Sequence, residues 1–457
     1  MKMDMVISTV WQKSKLFVKG LLIAALVLLL MIPAYFVQEL IKEREARQKE
    51  AFAEVSSKWA GKQIITGPVL VLPFWQTESE QTVQRVRSKH YAYFLPDNLH
   101  VNASVTPQEK YRGIYKVMLY SSKVQVGGSF SEVSPAQLNI APEDIIWDEA
   151  FVKIHISDNK GLNDEVKMTW KDSLLSLSPK SRSDRVSNDA LSASLHISSA
   201  AELSNAIFSM DLDLNGSEEL LFTPVGRLTT VDLSSTWPHP SFIGNSLPQT
   251  SSINGNGFHG SWKSMAHSRH FPQQWRDNEF VIADYFPAHT TDSDYASANK
   301  TVSITCEAFG TDLYVPVNGY QKTMRSVKYA VLCILLTFVA FFLIETVNKR
   351  SVHPVHYALI GLALIMFYTL LLSFSEYTGF NLAYIIASAA TVGLIAWFVR
   401  GILQSVKLTT VLSVVLVLLY SYVFTILRLQ DYALILGSLG LFLTLAVIMH
   451  FSKRIQW

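Results

Sequence analysis

Only two cysteines occur among 457 residues, so no disulfide framework holds this chain and its fold stands on packing and hydrogen bonds. Cys306 lies in a polar stretch and Cys333 in an apolar run. Charge is scarce as well: 17% of residues are charged against 49% hydrophobic, with a mean hydropathy of +0.22, too apolar for a purely soluble protein. No charge of one sign dominates, since 39 Lys and Arg face 37 Asp and Glu for a formal net charge of +2, which gives nucleic acid no footing as a partner. Catalytic signatures are missing too. There is no G-x-S-x-G, no Walker A sequence, no G-x-G-x-x-G opening a helix and no H-E-x-x-H. Aromatics, at 12%, exclude a disordered chain.

What the chain does have is long apolar runs. A helix crosses a bilayer with roughly 20 mostly apolar residues, because the hydrocarbon core is about 30 Å thick. Six stretches meet that length: Leu16–Val37, Tyr329–Val347, Val355–Phe374, Phe380–Val399, Leu408–Leu427 and Tyr432–Phe451. The first is followed directly by polar EREARQKE rather than by a small-residue cleavage site, so it reads as a retained anchor. The other five, parted by short polar breaks, predict antiparallel hairpins in one bundle. Lys2, Lys13, Lys15, Lys19, Lys349, Arg350, Arg400, Lys407, Lys453 and Arg454 then fall on one side, and Arg428 alone on the other. Both termini are therefore expected in the cytoplasm, with 38–328 on the periplasmic face; cations flanking that long segment weigh little, since large translocated domains escape the charge rule. The expected domains are 1–37 (cytoplasmic N-terminus and first span), 38–328 (outer domain) and 329–457 (five-helix bundle).

The outer segment opens with ELIKEREARQKEAFAEVSSKW, rich in helix formers, with Ala51, Val55 and Trp59 at four-residue spacing: a stalk helix continuing the first span. Beyond Gly61 the pattern turns to short alternating runs: Tyr115–Phe130, Phe151–Ser157, Gly226–Ser235 and Thr301–Phe309. Alternation with Val, Ile, Thr and aromatics predicts half-buried antiparallel strands and a β-rich, sandwich-like fold. GPVLVLP (Gly67–Pro73) predicts a strand bounded by prolines, Lys171–Ser187 an exposed loop, and Asn254–Gly257 (NGNG) a hairpin turn.

Among chemistry-bearing groups, the histidines His239, His259, His267 and His270 are the densest cluster. Neutral imidazoles bind zinc or copper, but no Cys or Glu sits at matching spacing, so a structural role is favoured and no metal or cofactor is assigned. TWPHPSF is unusual: Pro238 and Pro240 force an extended or turning path between Trp237 and Phe242, excluding an ordinary central strand. An aromatic-plugged loop against the sheet is the plainer reading. A partner-binding loop with Trp237, His239 and Phe242 as contacts is the functional one. For transport the telling feature is charge at membrane depth. Glu345 falls near the inner end of the second span beside Lys349 and Arg350 and is expected to pair with them rather than relay protons; Glu376, Arg428 and Asp431 lie in or beside loops, and His353 and His356 in an inner loop. A hydroxyl-lined path through Ser388 and Thr391 stays open.

Four ordered blocks bear a family resemblance: EREARQKEAFAEVSSKWAGKQIITGPVLVLP (Glu43–Pro73), STWPHPSFIGNSLP (Ser235–Pro248), VKYAVLCILLTFVAFFLIE (Val327–Glu345) and HPVHYALIGLALIMFYTLLLSFSEYTGFNLAYIIAS (His353–Ser388). With these, essentially the full chain resembles the CreD family of bacterial inner membrane proteins, departing mainly around Lys160–Ala200 and in the last two spans. The resemblance implies an inner membrane protein produced under a carbon-source-responsive two-component regulator and connected with cell envelope integrity and colicin tolerance. It brings no catalytic residues. The resulting expectation is a non-enzymatic membrane protein whose partners are the lipid bilayer and an envelope protein, lipid or glycan. The alternative is transport or lipid handling through the helix bundle.

Overall fold

The computed structural model describes residues 2–78, 86–131, 133–179, 190–282, 302–313, 319–347, 352–429 and 433–452. They form two compact units: 1–50 with 317–457, and 51–316. The boundary falls inside a single helix, α1 (Lys2–Trp59), which runs unbroken through Pro33. Helix formers from Glu39 to Lys58 carry that continuity, with Glu–Lys and Glu–Arg pairs at helical spacing, such as Glu43 with Arg47 and Glu54 with Lys58, along its polar side.

The first unit adds six helices: α2 (Gly319–Lys328), α3 (Ala330–Val347), α4 (Pro354–Thr378), α5 (Phe380–Leu403), α6 (Val406–Arg428) and α7 (Ala433–Ser452). Among the described residues, four helices are long and apolar enough to cross a membrane: α1 over Val18–Trp59, α4, α5 and α6. The pair α2 and α3, bent by 44° at its break, makes a fifth if it is one span. The expected second span is thus the straight part of a bent pair.

Burial in these helices runs in stripes. In α5 the buried positions are Phe380, Ala383, Tyr384, Ala387, Thr391, Ile395, Val399 and Leu403, at spacings of three and four. The other faces carry Leu382, Ile385, Leu394 and Trp397, exposed yet apolar, and α4 and α6 do the same with Leu359, Met366, Val414 and Leu418. Left in water, each would forgo roughly 1.5–3 kcal/mol of apolar burial, so these faces suit lipid. Leu30, Ala34, Val37 and Ile41 give α1 its buried stripe, and a side chain at Gly361 of α4 would come within 2.2 Å of Leu30, so the glycine lets the two helices approach closely. Phe367, Tyr384 and Tyr420 join α4, α5 and α6, and the Tyr384 hydroxyl donates to the Tyr420 carbonyl at 2.9 Å.

In the second unit, sheets of nine and eight strands share one apolar core. Alternation places the side chains: along Asn98–Arg112, Leu99, Val101, Ala103 and Val105 point into the core and the residues between them point out. The register with Tyr115–Phe130 is unbroken over the whole hairpin. Not every pairing is antiparallel, as the alternation implied. Leu228–Ser235 lies parallel to Asn98–Arg112, and Gln63–Glu78 begins parallel to Glu219–Phe222. GPVLVLP is not bounded by its prolines; its strand spans Gln63–Glu78, and the pairing shifts register between Thr66 and Val69, where Gly67 takes φ of 129°.

Three further expectations are corrected. Phe151–Ile156 is buried on both faces rather than half-buried. Thr301–Phe309 is not one strand: Val302–Ser303 pairs briefly, Ile304–Glu307 turns as a 3-10 helix whose start is capped by the Ser303 hydroxyl, and a new strand starts at Phe309, while Thr301 lies outside the described residues. Lys171–Ser187 is not one loop. Lys171, at φ of 51°, turns a hairpin into Ser173–Ser176, which pairs with Lys167–Trp170, and Ser178–Pro179 joins the other sheet, while 180–189 lies outside the described residues. The Asn254–Gly257 hairpin turn is as expected.

Candidate functional site

Trp237, His239 and Phe242 sit where the chain leaves the eight-stranded sheet at Ser235 and enters the nine-stranded one at Ser241. The crossing carries no strand pairing between Thr236 and Pro240 and bends at Thr236 and Pro238. The Trp237 indole N–H donates to the His239 carbonyl at 3.0 Å, and their rings meet edge to face. Phe242 begins an edge strand, Ser241–Gly244, paired with Phe309–Asp312, and its ring packs on Phe258 and Trp262. Phe242 therefore serves chiefly as an anchor on the core; Trp237 is half-buried and His239 is exposed. The structure brings Trp237 and His239 together and turns Phe242 inward.

The histidines do not converge. His259 lies 3.8 Å from Asp232, and His270 bonds Glu307, whose other oxygen takes the Asn245 amide. Among the described residues no group of three His, Cys, Asp or Glu side chains could hold a metal ion. Between His267 and His270 lies a residue that sequence reasoning missed: Arg269, buried, fans its guanidinium onto three main-chain carbonyls. Nothing in the sequence marks it out from Lys263 and Arg276, the other cations of the same aromatic stretch.

A carboxyl group stands out on the same domain. Asp312 closes the strand Phe309–Asp312 opposite Glu219. Burial, and then the charges of Glu219 and Glu218 against the pull of Lys62, raise it from its ordinary 3.8 to about 6. The folded chain thus holds this proton to higher pH than the unfolded chain does. The contribution is most favourable below about pH 4 and is lost as pH rises through 6. Asp312→Asn, which removes the charge, is expected to stabilise the full-length protein at pH 7 by about 1–2 kcal/mol, allowing for screening by solvent. Thermal unfolding from pH 4 to 7 checks it; a variant with wild-type pH dependence refutes it.

In the helix unit, Glu345 is paired with Lys19 of α1; Lys349 and Arg350, its expected partners, lie outside the described residues. Its carboxylate also accepts the Val352 N–H at 2.9 Å and the Tyr357 hydroxyl at 2.7 Å. His353 caps α4 instead of standing free in a loop. Glu376 lies within α4, not after it; Tyr320 donates to it at 2.9 Å and Arg44 pairs with it as an ion at 3.9 Å. Asp431 falls outside the described residues. Thr391 is buried, while the part-exposed Ser388 turns its hydroxyl back onto the Ile385 carbonyl.

Apolar-faced helices beside a β-rich domain define a membrane protein with several helices able to span, and no catalytic constellation is visible among the described residues. The family model for inner membrane protein CreD matches residues 15–457, and this chain belongs to that family. It is 30% identical over 452 residues to inner membrane protein CreD of Escherichia coli strain K12, covering 97% of this chain and 94% of the relative. Among solved structures, an M1 zinc metallopeptidase from Deinococcus radiodurans aligns over 37% of this chain and 39% of its own, at 9% identity and a TM-score of 0.19. A two-domain M1 zinc metallopeptidase bound to L-arginine has the same coverage and score at 8% identity. At that score neither likeness carries an argument.

Proposed function

We propose that the protein is a non-enzymatic envelope-integrity factor of the inner membrane, with six spans (α1, the α2–α3 pair, α4, α5, α6 and α7), both termini cytoplasmic, and residues 38–328 periplasmic. Its β-rich domain binds an envelope component, with Trp237 and His239 as contacts and Phe242 as their anchor, and the helix bundle holds that domain at the membrane. The observation that carries this reading is a large folded β-rich unit entered through one continuous helix from an apolar anchor. The Lys and Arg distribution supports the orientation. Transport or lipid handling through the bundle draws no specific support, since the carboxylates of α3 and α4 are each paired with a cation: Glu345 with Lys19, Glu376 with Arg44.

The test uses the exposed native thiol of Cys306, the other cysteine being buried. A membrane-impermeant maleimide added to intact spheroplasts is expected to label wild type and not Cys306→Ser, and the same wild-type gene is expected to restore detergent tolerance to a deletion strain. Labelling only after lysis overturns the topology. A deletion that leaves detergent and colicin tolerance unchanged overturns the role.

A further inference from the structure

The outward side chains of the eight-stranded sheet line up across the strands. Pairing registers set one polar row from Thr250 at one edge through Asp232, Asn102, Gln125 and Asp211 to Ser176 at the other, with a polar residue on every strand. At about 4.8 Å per strand the row runs roughly 34 Å. A polar outward face is what any sheet covered on one side offers water. What sets this one apart is a cleft of about 460 Å³ in its middle, inside the range of small-ligand sites. Its floor is a grid of two rows on three strands: Asn102, Gln125 and Asp211, then Ser104, Lys123 and Asp213. The grid measures about 7 by 10 Å. Asp213 is held from behind the cleft: the Asn163 amide donates to it at 2.6 Å and accepts from Asn215 at 2.6 Å, and Asn215 in turn accepts from Ser121 at 2.7 Å.

The chemistry of the lining narrows the occupant. Asp164, Asp211 and Asp213 against Lys123 repel phosphate, nucleic acid and anionic headgroups. No aromatic or arginine anchor of the kind that carries protein interfaces lines the cleft, and its two apolar lining residues, Val124 and Leu212, belong to the buried core and are too few to bed an acyl chain. A polyhydroxylated, uncharged ligand fits: each hydroxyl can donate to a carboxylate and accept from an amide or from the Lys123 ammonium. We propose that this cleft binds an oligosaccharide, its chain following the transverse row. The inference rests on the reading of the domain as an envelope-binding module and names the ligand class.

The test is isothermal titration of the full chain in lipid nanodiscs, because glycoside detergents would compete, with tetrasaccharides of glucose in α and β linkage and of N-acetylglucosamine as probes. Saturable binding of at least one is expected, weakened tenfold or more in the Asp211→Asn, Gln125→Ala double variant and unchanged in Glu143→Ala, an exposed position outside the cleft. Both substituted positions are outward-facing, and near-ultraviolet circular dichroism checks that the fold is kept. No saturation by about 10 mM in any probe overturns the proposal. So does equal affinity in the double variant, or calcium chloride alone giving the only saturable heat. None of these outcomes touches Cys306 labelling or detergent tolerance, so the ligand class can fail while the envelope role stands.

Discussion

Arg269→Ala is expected to cost the full-length protein about 3–5 kcal/mol of unfolding free energy, the larger part of a typical domain's margin. Arg269 Nη1 donates to the carbonyls of Pro224 and Val225 at 2.7 Å each and of Gly226 at 3.4 Å. Its Nη2 donates to Gln273, whose own amide donates to the carbonyls of Leu95 at 2.9 Å and Pro96 at 2.7 Å. The guanidinium lies 4.4 Å over the Phe271 ring. One cation thus ties the Pro224–Gly226 turn, and through Gln273 the Leu95–Pro96 turn, to the segment after the strand Gly257–Met265. Burial, and then the charge of Arg227, push its pKa down from 12.5 to about 10, so the fixed charge carries a cost that the carbonyls offset. Truncation takes the donor from the buried carbonyls of Pro224 and Val225, leaves that of Gly226 only the Thr229 hydroxyl, and opens a void over Phe271. Arg269→Lys, a point donor without the planar fork, should recover roughly half of the loss. Arg269→Met keeps volume without hydrogen bonds and should sit nearer to alanine. Denaturant unfolding followed by tryptophan fluorescence reads all three, Trp262 and Trp275 being buried in the same core. A loss below about 1 kcal/mol for alanine would show the carbonyls to be satisfied by water instead.

Arg269 also shows where sequence reading stops. Strands with strict alternation, such as Asn98–Arg112, and the helix-rich run into Trp59 announce themselves, because local period and propensity decide them. The TWPHPSF crossing was legible as a non-central strand since two prolines forbid one, but the inward turn of Phe242 was not, because it depends on Phe258 and Trp262 of another hairpin. Parallel pairings such as Leu228–Ser235 on Asn98–Arg112 join strands far apart in the chain, and nothing in either strand's own pattern encodes the direction. The polar row of the sheet is hidden for the same reason: its members become neighbours only once the register is set. Thr301–Phe309 misled because alternation over a few residues also suits a short strand, a 3-10 turn and a second strand in sequence.

The pairing of Lys19 with Glu345 spans 326 positions and gives the other large effect. Side-chain exposure is 17% for Lys19 and 7% for Glu345, next to apolar helix faces where neither charge is well solvated alone. Lys19 also donates to the Val352 carbonyl at 2.7 Å and lies 5.9 Å over the Tyr357 ring, so the cluster gathers the N-terminal half of α1, the start of α4 and the end of α3. Glu345→Ala leaves the ammonium without its anion and strands the Val352 N–H and the Tyr357 hydroxyl, and is expected to cost about 3–5 kcal/mol. Lys19→Met should cost less. The carboxylate it leaves keeps two donors, and the methionine stem still packs. In the double variant Lys19→Met, Glu345→Gln the uncompensated charge is gone and the glutamine can still accept from Tyr357. Its loss should therefore fall at least 1.5 kcal/mol below the sum of the Lys19→Met and Glu345→Gln losses. Thermal unfolding in nanodiscs measures the cycle. Strictly additive losses would mean that each charge reaches water on its own at the membrane surface, as long cationic side chains near helix ends can, and the cluster would then be a contact that holds nothing.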